Sequence, residues 1–265
     1  MKVTMLASLL IALSAGAAAA TTANYSDFSS VAGLTLNGSA AQVGSVLRLV
    51  PNADSQAGTA FLSSAVPFDA STGFSTSFKF NVATSTADPT DGFSFILQSD
   101  AAGAAALGAA GQGLGYVGLT PSVAVVFRGR DPNLIGVITG GVDPADPSIN
   151  FQPPGYYSGT QSEFYNKDEF VWIDYNASNT QLSVYLAPSA VKPLSPIMAT
   201  TVNIFGVVGS DAYIGFGAGN GGAFGTQDVL NWSFAAAPVP EPGTAGMLAL
   251  GVLCLTLLRR RMFVE

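Results

Sequence analysis

The sequence predicts an all-β fold, an antiparallel sandwich or barrel, from three observations on its central part. Apolar and polar residues alternate along several short segments, as they do in strands with one buried and one solvated face. Gly, Pro, Asn and Asp residues separate these segments. The segments do not alternate with helical patterns, which argues against a parallel βα architecture.

The clearest predicted strand is residues 73–82, where Phe, Thr and Val side chains occupy the even-numbered positions from Phe74 to Val82. Segment 101–110 is alanine-rich but contains Gly103 and Gly108, so we interpret it as a loop with about one turn of helix. The other predicted strands are residues 46–50, 92–97, 123–128, 169–175, 181–186, 212–217 and 229–234.

The N-terminal end differs from this body. Lys2, an apolar stretch and a small-residue run up to Ala20 follow the order of a secretory signal peptide. We therefore expect the Sec machinery to export the chain and residues 1–20 to be removed. The alternative is a retained signal anchor, for which the apolar run is short. Residues 21–237 then form the body, a single domain.

The C-terminal end has three parts in order: a Pro-Glu-Pro segment, an apolar segment at 243–258, and an Arg cluster. As a helix, the apolar segment reaches about 24 Å, and flanking residues and arginines can extend it toward the ~30 Å membrane core. The arginines favour a cytoplasmic C-terminus, with the body outside. The residues of the first and last parts are Pro240, Glu241 and Pro242, and Arg259, Arg260 and Arg261.

Residues 238–265 resemble the PEP-CTERM sorting signal of Gram-negative bacteria that make exopolysaccharide. The resemblance implies a precursor held transiently in the inner membrane. A membrane peptidase, exosortase, then removes the tail and delivers the protein to the cell surface or matrix. The alternative is an ordinary tail anchor.

Composition excludes several function classes. The chain has no His, so His-containing triads and His-ligated zinc are absent. Of 10 basic and 17 acidic residues, 4 basic and 2 acidic residues lie in the two ends, which leaves 6 basic and 15 acidic residues and a net charge of about −9 in the body. A body this acidic argues against nucleic acid as a partner. The one Cys, Cys254, lies in the tail, so the body has no disulfide.

Six segments of the body resemble, in order, those of legume-lectin-like domains. They are FSTSF at 74–78, DGFSF at 91–95, GYVGL at 115–119, VAVVF at 123–127, VWIDY at 171–175, and IGF at 214–216 followed by LNWSF at 230–234. The resemblance implies a concanavalin-like antiparallel sandwich, or jelly roll, with a sugar site in loops at one face. It implies carbohydrate or exopolysaccharide as the partner, without catalysis.

The resemblance assigns the sugar-binding Asp of the family to Asp91 and the Gly amide of the next loop to Gly115. A carboxylate accepts hydrogen bonds from neighbouring hydroxyls, and a glycine lets a sugar approach the backbone. Gly222 and Ala223 fall in the loop that sets specificity in the family. The alternatives are a turn-capping Asp, a bend glycine and a plain turn. The family has a cis peptide before its Asp, and whether the Thr90–Asp91 peptide is cis stays open.

The metal ligands of the family are replaced. Family members carry a Glu and an Asp two residues apart on one strand face, where this chain has Val126 and Arg128, and Leu134 stands at the His position. Calcium takes six to eight oxygen ligands, so we expect no calcium or other metal here. Any sugar binding at Asp91 is then calcium-independent, and protein contacts must brace its loop.

Two arginines lie at this place. Arg130 stands where the family has an aromatic residue under the sugar, and only Asp131 and Asn133 remain of the ligand set. Arg128 and Arg130 could pair with Asp91 or Asp131, or present guanidinium groups to acidic sugars. The alternative is two surface arginines near acidic neighbours.

An aromatic group and the glutamates of the body bear on two further functions. Aromatic residues in segment 140–167 are either sugar-stacking platforms or anchors of a long loop. A glycoside hydrolase needs two carboxyl groups across a cleft, usually from acidic residues at alternate positions of one strand, and no E-x-D-x-E pattern occurs here. The only glutamates of the body, Glu163 and Glu169, flank the start of one strand, so hydrolysis is the least favoured function. The alternative to a carbohydrate-binding protein is a structural or adhesive matrix protein on the same scaffold. The aromatic residues are Phe151, Tyr156, Tyr157, Phe164 and Tyr165.

Overall fold

A computed structural model describes residues 21–84, 90–129, 134–146, 156–157 and 165–238. The predicted signal peptide and residues 239–265 of the predicted sorting tail lie outside these ranges. In the part described, no helix is both long enough and apolar enough to cross a membrane.

The described chain is built almost wholly of β-strands, with a single short α-helix, α1 (Ile204–Val208), in those residues. The strands are β1 (Thr21–Tyr25), β2 (Leu34–Gly38), β3 (Ala41–Val43), β4 (Val46–Val50), β5 (Gln56–Leu62), β6 (Val66–Pro67), β7 (Thr72–Thr84), β8 (Gly92–Gln98), β9 (Ser122–Arg128), β10 (Leu134–Thr139), β11 (Tyr156–Tyr157), β12 (Asp168–Asn176), β13 (Gln181–Ala187), β14 (Met198–Thr201), β15 (Asp211–Asn220) and β16 (Gly225–Pro238).

Within the described residues, two 8-stranded antiparallel sheets form a sandwich. The back sheet has the order β14-β13-β12-β7-β16-β4-β3, with β1 paired to β16. The front sheet has the order β11-β10-β9-β8-β15-β5-β2, with β6 paired to β15. The first and last described strands, β1 and β16, are therefore neighbours in the back sheet.

The main core lies between the sheets and is rich in aromatic rings. The alternation predicted for 73–82 sends the even-numbered side chains of β7 inward, and Phe78 and Phe80 are each 1% exposed. Phe78 meets Phe216 edge to face with ring centroids 5.0 Å apart, and Phe93 stacks on Phe127 at 4.5 Å. This core stabilises the body without a disulfide.

The front sheet is also covered on its other face. Segment 99–121 lies across it with two 3-10 turns, Gly103–Ala105 and Gly111–Gly113. Leu114 and Tyr116 of this segment form a second apolar cluster with Ile96 and Val126 of the sheet. The Tyr116 hydroxyl accepts a hydrogen bond from the amide of Gly141 (2.9 Å), and burial raises the pKa of Tyr116. We call this segment the covering loop.

The predicted strands are confirmed, each within a few residues of its expected ends, and the covering loop contains the short helical turn expected for 101–110. Several elements that lack period-two alternation were not predicted from the sequence. Strand β10 reads as a continuous apolar run, and β5 contains Gly58 and Ala60 among its buried residues. Helix α1 was also missed; the Asn203 side chain caps it by accepting a hydrogen bond from the Gly206 amide (2.9 Å).

Candidate functional site

Asp91 lies at one end of the front sheet, directly before β8 and beside the end of β15. Its Oδ2 atom accepts a hydrogen bond from the backbone amide of Gly221 (2.7 Å), and the residue is 2% exposed. Gly111 of the covering loop also approaches the carboxylate: a Cβ atom on Gly111 would lie 3.7 Å from Oδ2. A Cβ atom on Gly221 would lie 3.0 Å from the same oxygen, so the two glycine segments bring backbone close to one carboxylate.

A buried polar network holds the residue before Asp91. The Thr90 hydroxyl donates to Oδ1 of Asn220 (2.8 Å) and accepts from Nε2 of Gln227 (2.8 Å). Asn220 in turn donates through Nδ2 to the carbonyls of Pro51 (2.8 Å) and Gly225 (2.9 Å). Because these side chains are 0 to 1% exposed, each hydrogen bond replaces one to water and the network fixes the local backbone.

Tyr165 and Gly129 complete the support on the other side. The Tyr165 hydroxyl donates to the Thr90 carbonyl (2.9 Å), and the Gly129 amide donates to the Asp91 carbonyl (2.9 Å). A Cβ atom on Gly129 would fall 1.0 Å from the Tyr165 hydroxyl, so only glycine lets this ring reach Thr90. Tyr165 is therefore an anchor. Phe151 and Phe164, also considered for sugar stacking, lie outside the described residues.

The loop after β15 adjoins the Asp91 carboxylate. Gly222 is exposed and has open space around it, whereas Ala223 is 5% exposed. The backbone amides of these two residues make no hydrogen bond to another residue of the described ranges. Two backbone donors therefore follow Gly221, whose amide binds the Asp91 carboxylate, and the first of them belongs to the exposed Gly222.

Gly115 does not occupy the place that the resemblance implied. Its amide donates to the carbonyl of Ala109 (3.0 Å), and its own carbonyl accepts from Gly108 (3.0 Å). The residue is buried with φ +65°, against the backbone of Gly58 and Ala218. The expectation that the Gly115 amide donates to a sugar is corrected, because the covering loop uses this amide to close on itself.

Two of the positions that carry metal ligands in the family are apolar here. Val126 is 0% exposed and Leu134 is 1% exposed, and both belong to the apolar cluster under the covering loop. In the ranges that the structure describes, no group of three or more His, Cys, Asp or Glu residues could hold a metal ion.

Arg128 is buried rather than on the surface, with 3% exposure, and its Nη1 donates to the carbonyl of Pro144 (3.0 Å). The expectation of a plain surface arginine is wrong for Arg128, because the paired strands β9 and β10 enclose it opposite Leu134. Arg130, Asp131 and Asn133 lie outside the described residues, so the predicted roles of Arg130 stay predictions.

The structure also describes the Thr90–Asp91 peptide bond and one of the two glutamates of the body. Among the described residues, the cis peptide bond is Thr120–Pro121, and the Thr90–Asp91 bond is not cis. Glu169 is 2% exposed and pairs with Lys167 (Oε1 to Nζ, 2.8 Å). Glu163 lies outside the described residues.

Residues 20–247 match the family described as "Legume lectin domain". The chain belongs to the legume lectin domain family. Residues 238–261 match the motif described as "PEP-CTERM protein-sorting motif", which indicates an exported protein directed to the cell surface. The lectin domain and the sorting motif thus confirm both resemblances found in the sequence.

Relatives and solved structures agree with this family. The L-type lectin-domain containing receptor kinase SIT1 of Oryza sativa subsp. japonica is 28% identical over 92% of this chain and 41% of its own length. A probable inactive L-type lectin-domain containing receptor kinase, III.1 of Arabidopsis thaliana, is 30% identical over 62% of this chain and 29% of its own length. The chain therefore spans less than half the length of these plant proteins.

The sandwich is similar to that of a lectin from Bauhinia forficata in complex with GalNAc, with TM-score 0.69, 20% identity, and coverage of 83% of this chain and 100% of that chain. It is also similar to arcelin-5, a lectin-like defense protein from Phaseolus vulgaris, with TM-score 0.68, 22% identity, and coverage of 83% and 100%. At these identities the likeness shows the concanavalin-like fold.

Proposed function

We propose that this lectin domain binds carbohydrate at Asp91, without catalysis, as a protein of the bacterial cell surface or exopolysaccharide matrix. The observation that carries the proposal is the place of Asp91: a carboxylate at the end of the front sheet, between the glycine segments at 111 and 221. A carboxylate oxygen can accept two hydrogen bonds, so Oδ2 can serve Gly221 and a sugar hydroxyl together.

The donors to the sugar come from the loop after β15. The exposed amide of Gly222 is a donor to a sugar oxygen at the rim, and the amide of Ala223 is a second donor deeper in the loop. These two amides take over the role that the resemblance gave to Gly115. Arg130 lies outside the described residues, and its guanidinium group stays a predicted contact for acidic sugars.

Binding at this site is proposed to be independent of calcium. The network of Thr90, Asn220 and Gln227, together with Tyr165, supplies contacts that position the backbone before Asp91. These contacts need no ion. The apolar cluster at Val126 supports the covering loop from the other side.

A glycan array with the exported protein tests the proposal, using Asp91→Asn and Asp211→Asn as a matched pair. Asp211 is exposed at the start of β15, whereas Asp91 adjoins the end of that strand, about 30 Å away at ~3.3 Å per residue. We expect Asp91→Asn to weaken binding at least tenfold and Asp211→Asn to leave it unchanged. If no glycan binds, including the exopolysaccharide of the producing strain, the structural or adhesive function replaces this proposal.

The two ends of the chain are proposed to act in export. The Sec machinery would remove residues 1–20, the tail at 238–265 would hold the precursor in the inner membrane, and exosortase would cleave at the motif. We expect Glu241→Gln to keep the precursor in the membrane fraction. Mass spectrometry of the surface protein checks this, because a mature protein that still ends at Glu265 contradicts processing.

A further inference from the structure

The outer face of the back sheet, opposite the front sheet, carries solvent-facing aromatic rings in its centre. Trp172 of β12 and Tyr185 of β13 stand directly opposite each other in the strand register. Phe170, two residues before Trp172, shares this face, and the Phe170 and Trp172 rings are nearly parallel, 19° apart, with centroids 6.3 Å apart. All three side chains are partly exposed. We call Phe170, Trp172 and Tyr185 the aromatic strip.

A loop overhangs this strip and turns it into a cleft. Residues 188–197 connect β13 to β14, and Lys192 of this loop pairs with Asp174 and lies over the Tyr185 ring, 4.3 Å from its centroid. Ala190 of the same loop lines a depression of about 190 Å³ with Phe170 and Trp172. The loop is therefore fixed over one side of the strip, and the other side stays open.

Polar groups line the rest of the depression. Ser77 lies opposite Trp172 on β7, and Asn231 follows a bulge in β16. The Asn231 Oδ1 atom accepts a hydrogen bond from the Lys79 amide (3.0 Å), which replaces a ladder bond that the bulge interrupts. Within the described ranges, neither the Asn231 Nδ2 group nor the Ser77 hydroxyl has a hydrogen-bond partner. Both can bond to a ligand.

The charges around the cleft cancel. Lys79 pairs with Asp168 (2.6 Å) and also lies 5.6 Å from the centre of the Phe170 ring, while Lys192 pairs with Asp174. The rim therefore has two cations and two carboxylates, although the body as a whole is strongly acidic. A ligand held here meets no net charge, which favours an uncharged ligand over an acidic or basic one.

We propose that this cleft is a second carbohydrate site, separate from Asp91, that holds a segment of a neutral polysaccharide. Aromatic faces stack on the C–H faces of pyranose rings, and the Asn231 amide and Ser77 hydroxyl suit sugar hydroxyls. A linear glycan chain fits between the strip and the overhanging loop. A second copy of this chain fits poorly, because its flat sheet would meet the loop, where Leu194 is fully exposed, and would desolvate both ion pairs.

The two tryptophans of the chain make the test direct. Trp172 is in the cleft and Trp232 is 1% exposed in the core, so a ligand in the cleft changes the emission of one of them. The full chain, in a detergent without a sugar head group, is titrated with neutral hexasaccharides: cellohexaose, laminarihexaose, chitohexaose and mannohexaose. We expect at least one to shift Trp emission to shorter wavelength, with the same affinity in Asp91→Asn.

Two variants probe the cleft from opposite walls. Trp172→Ala removes the stacking surface, and Ala190→Arg fills the depression from an exposed loop position without touching the sheet. We expect each variant to weaken hexasaccharide binding about tenfold or more. Binding to Trp172→Ala is measured by calorimetry, because this variant lacks the tryptophan that reports on the cleft. Ala190→Arg should keep the wild-type urea midpoint, which separates loss of binding from loss of folding.

Three results overturn the proposal. One is the absence of any emission change with all four hexasaccharides. The second is wild-type affinity in both Trp172→Ala and Ala190→Arg. The third is a dimer in sedimentation that either variant converts to a monomer, which would make this face an interface between copies. Loss of binding in Asp91→Asn alone would support the Asp91 site and count against this one.

Discussion

Replacing Asn220 with Leu tests whether protein contacts hold the backbone before Asp91. Leu is close to Asn in size but makes no hydrogen bonds. Asn220 makes four short ones, to the carbonyls of Pro51 (2.8 Å) and Gly225 (2.9 Å) and from Thr90 (2.8 Å) and Gln227 (3.1 Å). At about 1 kcal/mol each, their loss costs about 4 kcal/mol.

The cost falls toward about 3 kcal/mol because two partners keep a contact. The Gln227 amide still donates to the Thr90 hydroxyl (2.8 Å) after the change, whereas the partly buried Pro51 carbonyl and the buried Gly225 carbonyl lose the Asn220 donor. For a domain of this size, about 3 to 4 kcal/mol lowers the Tm by about 6 to 16 °C.

Urea unfolding followed by Trp emission measures the change, and an unchanged m-value shows that the unfolded state is the same. Asn24→Leu is the matched control: Asn24 is exposed in β1, and we expect its replacement to stay within about 0.5 kcal/mol. A loss below about 1 kcal/mol in Asn220→Leu, or an equal loss in Asn24→Leu, would refute the idea that this network braces the Asp91 site.

Four further predictions follow from individual contacts. EDTA and added calcium should each leave the Tm unchanged. Calcium would raise the Tm only if it bound the folded protein, and we expect that it does not bind. Gly92→Ala should destabilise by about 3 kcal/mol or more, because φ is +123° and the new Cβ would lie 2.0 Å from the Phe127 carbonyl oxygen. Val126→Glu should cost about 3 kcal/mol or more by burying a carboxylate, without rescue by calcium. The hydrogen bond from Lys79 lowers the pKa of Asp168 below its ordinary value of 3.8. The stabilisation from this contact is present above pH 3.8 and is lost as the pH falls through the lowered pKa, so Asp168→Asn should flatten the acid limb of stability against pH.

Each of these has a control and a contradicting outcome. Gly44 has φ +61° and open space around it, so Gly44→Ala isolates the backbone term and should cost about 1 kcal/mol. A Tm that rises with calcium, in the wild type or in Val126→Glu, would show that a metal site exists. Asp211→Asn removes the same charge at an exposed position, and an equal flattening of the acid limb there would contradict the role of the Lys79 contact.

Much of the fold could be predicted because period-two alternation records which face of a strand is buried. That signal fails where both faces are buried. Strand β9 is covered by the main core on one face and by the covering loop on the other, so Val123 and Val126 are equally buried. Strand β10 has a similar apolar pattern and was not predicted, whereas β9 was predicted because turn residues bound its apolar run.

The candidate site was predicted less fully than the fold, because its contacts join residues far apart in sequence. The position of Asp91 directly before a strand of the sheet could be predicted from its motif. The amide of Gly115 could not, since its partner is the Ala109 carbonyl of the same loop, and only the folded loop brings the two together. The Tyr165 hydroxyl reaches Thr90 across 75 positions, and the aromatic cluster in the sequence indicated an anchor without its partner.

The two residues that stand in place of the metal ligands lie two apart on the same face of β9. Val126 lets the covering loop pack directly on the front sheet, and that loop carries Gly111 to the Asp91 carboxylate. Arg128, paired with Gly92 in the strand register, ties β9 to segment 142–146 through the Pro144 carbonyl. Apolar packing and this hydrogen bond hold the two segments because they belong to the folded core. The geometry at Asp91 therefore depends on folding of the sandwich, whereas an ion-dependent site would also depend on the metal concentration.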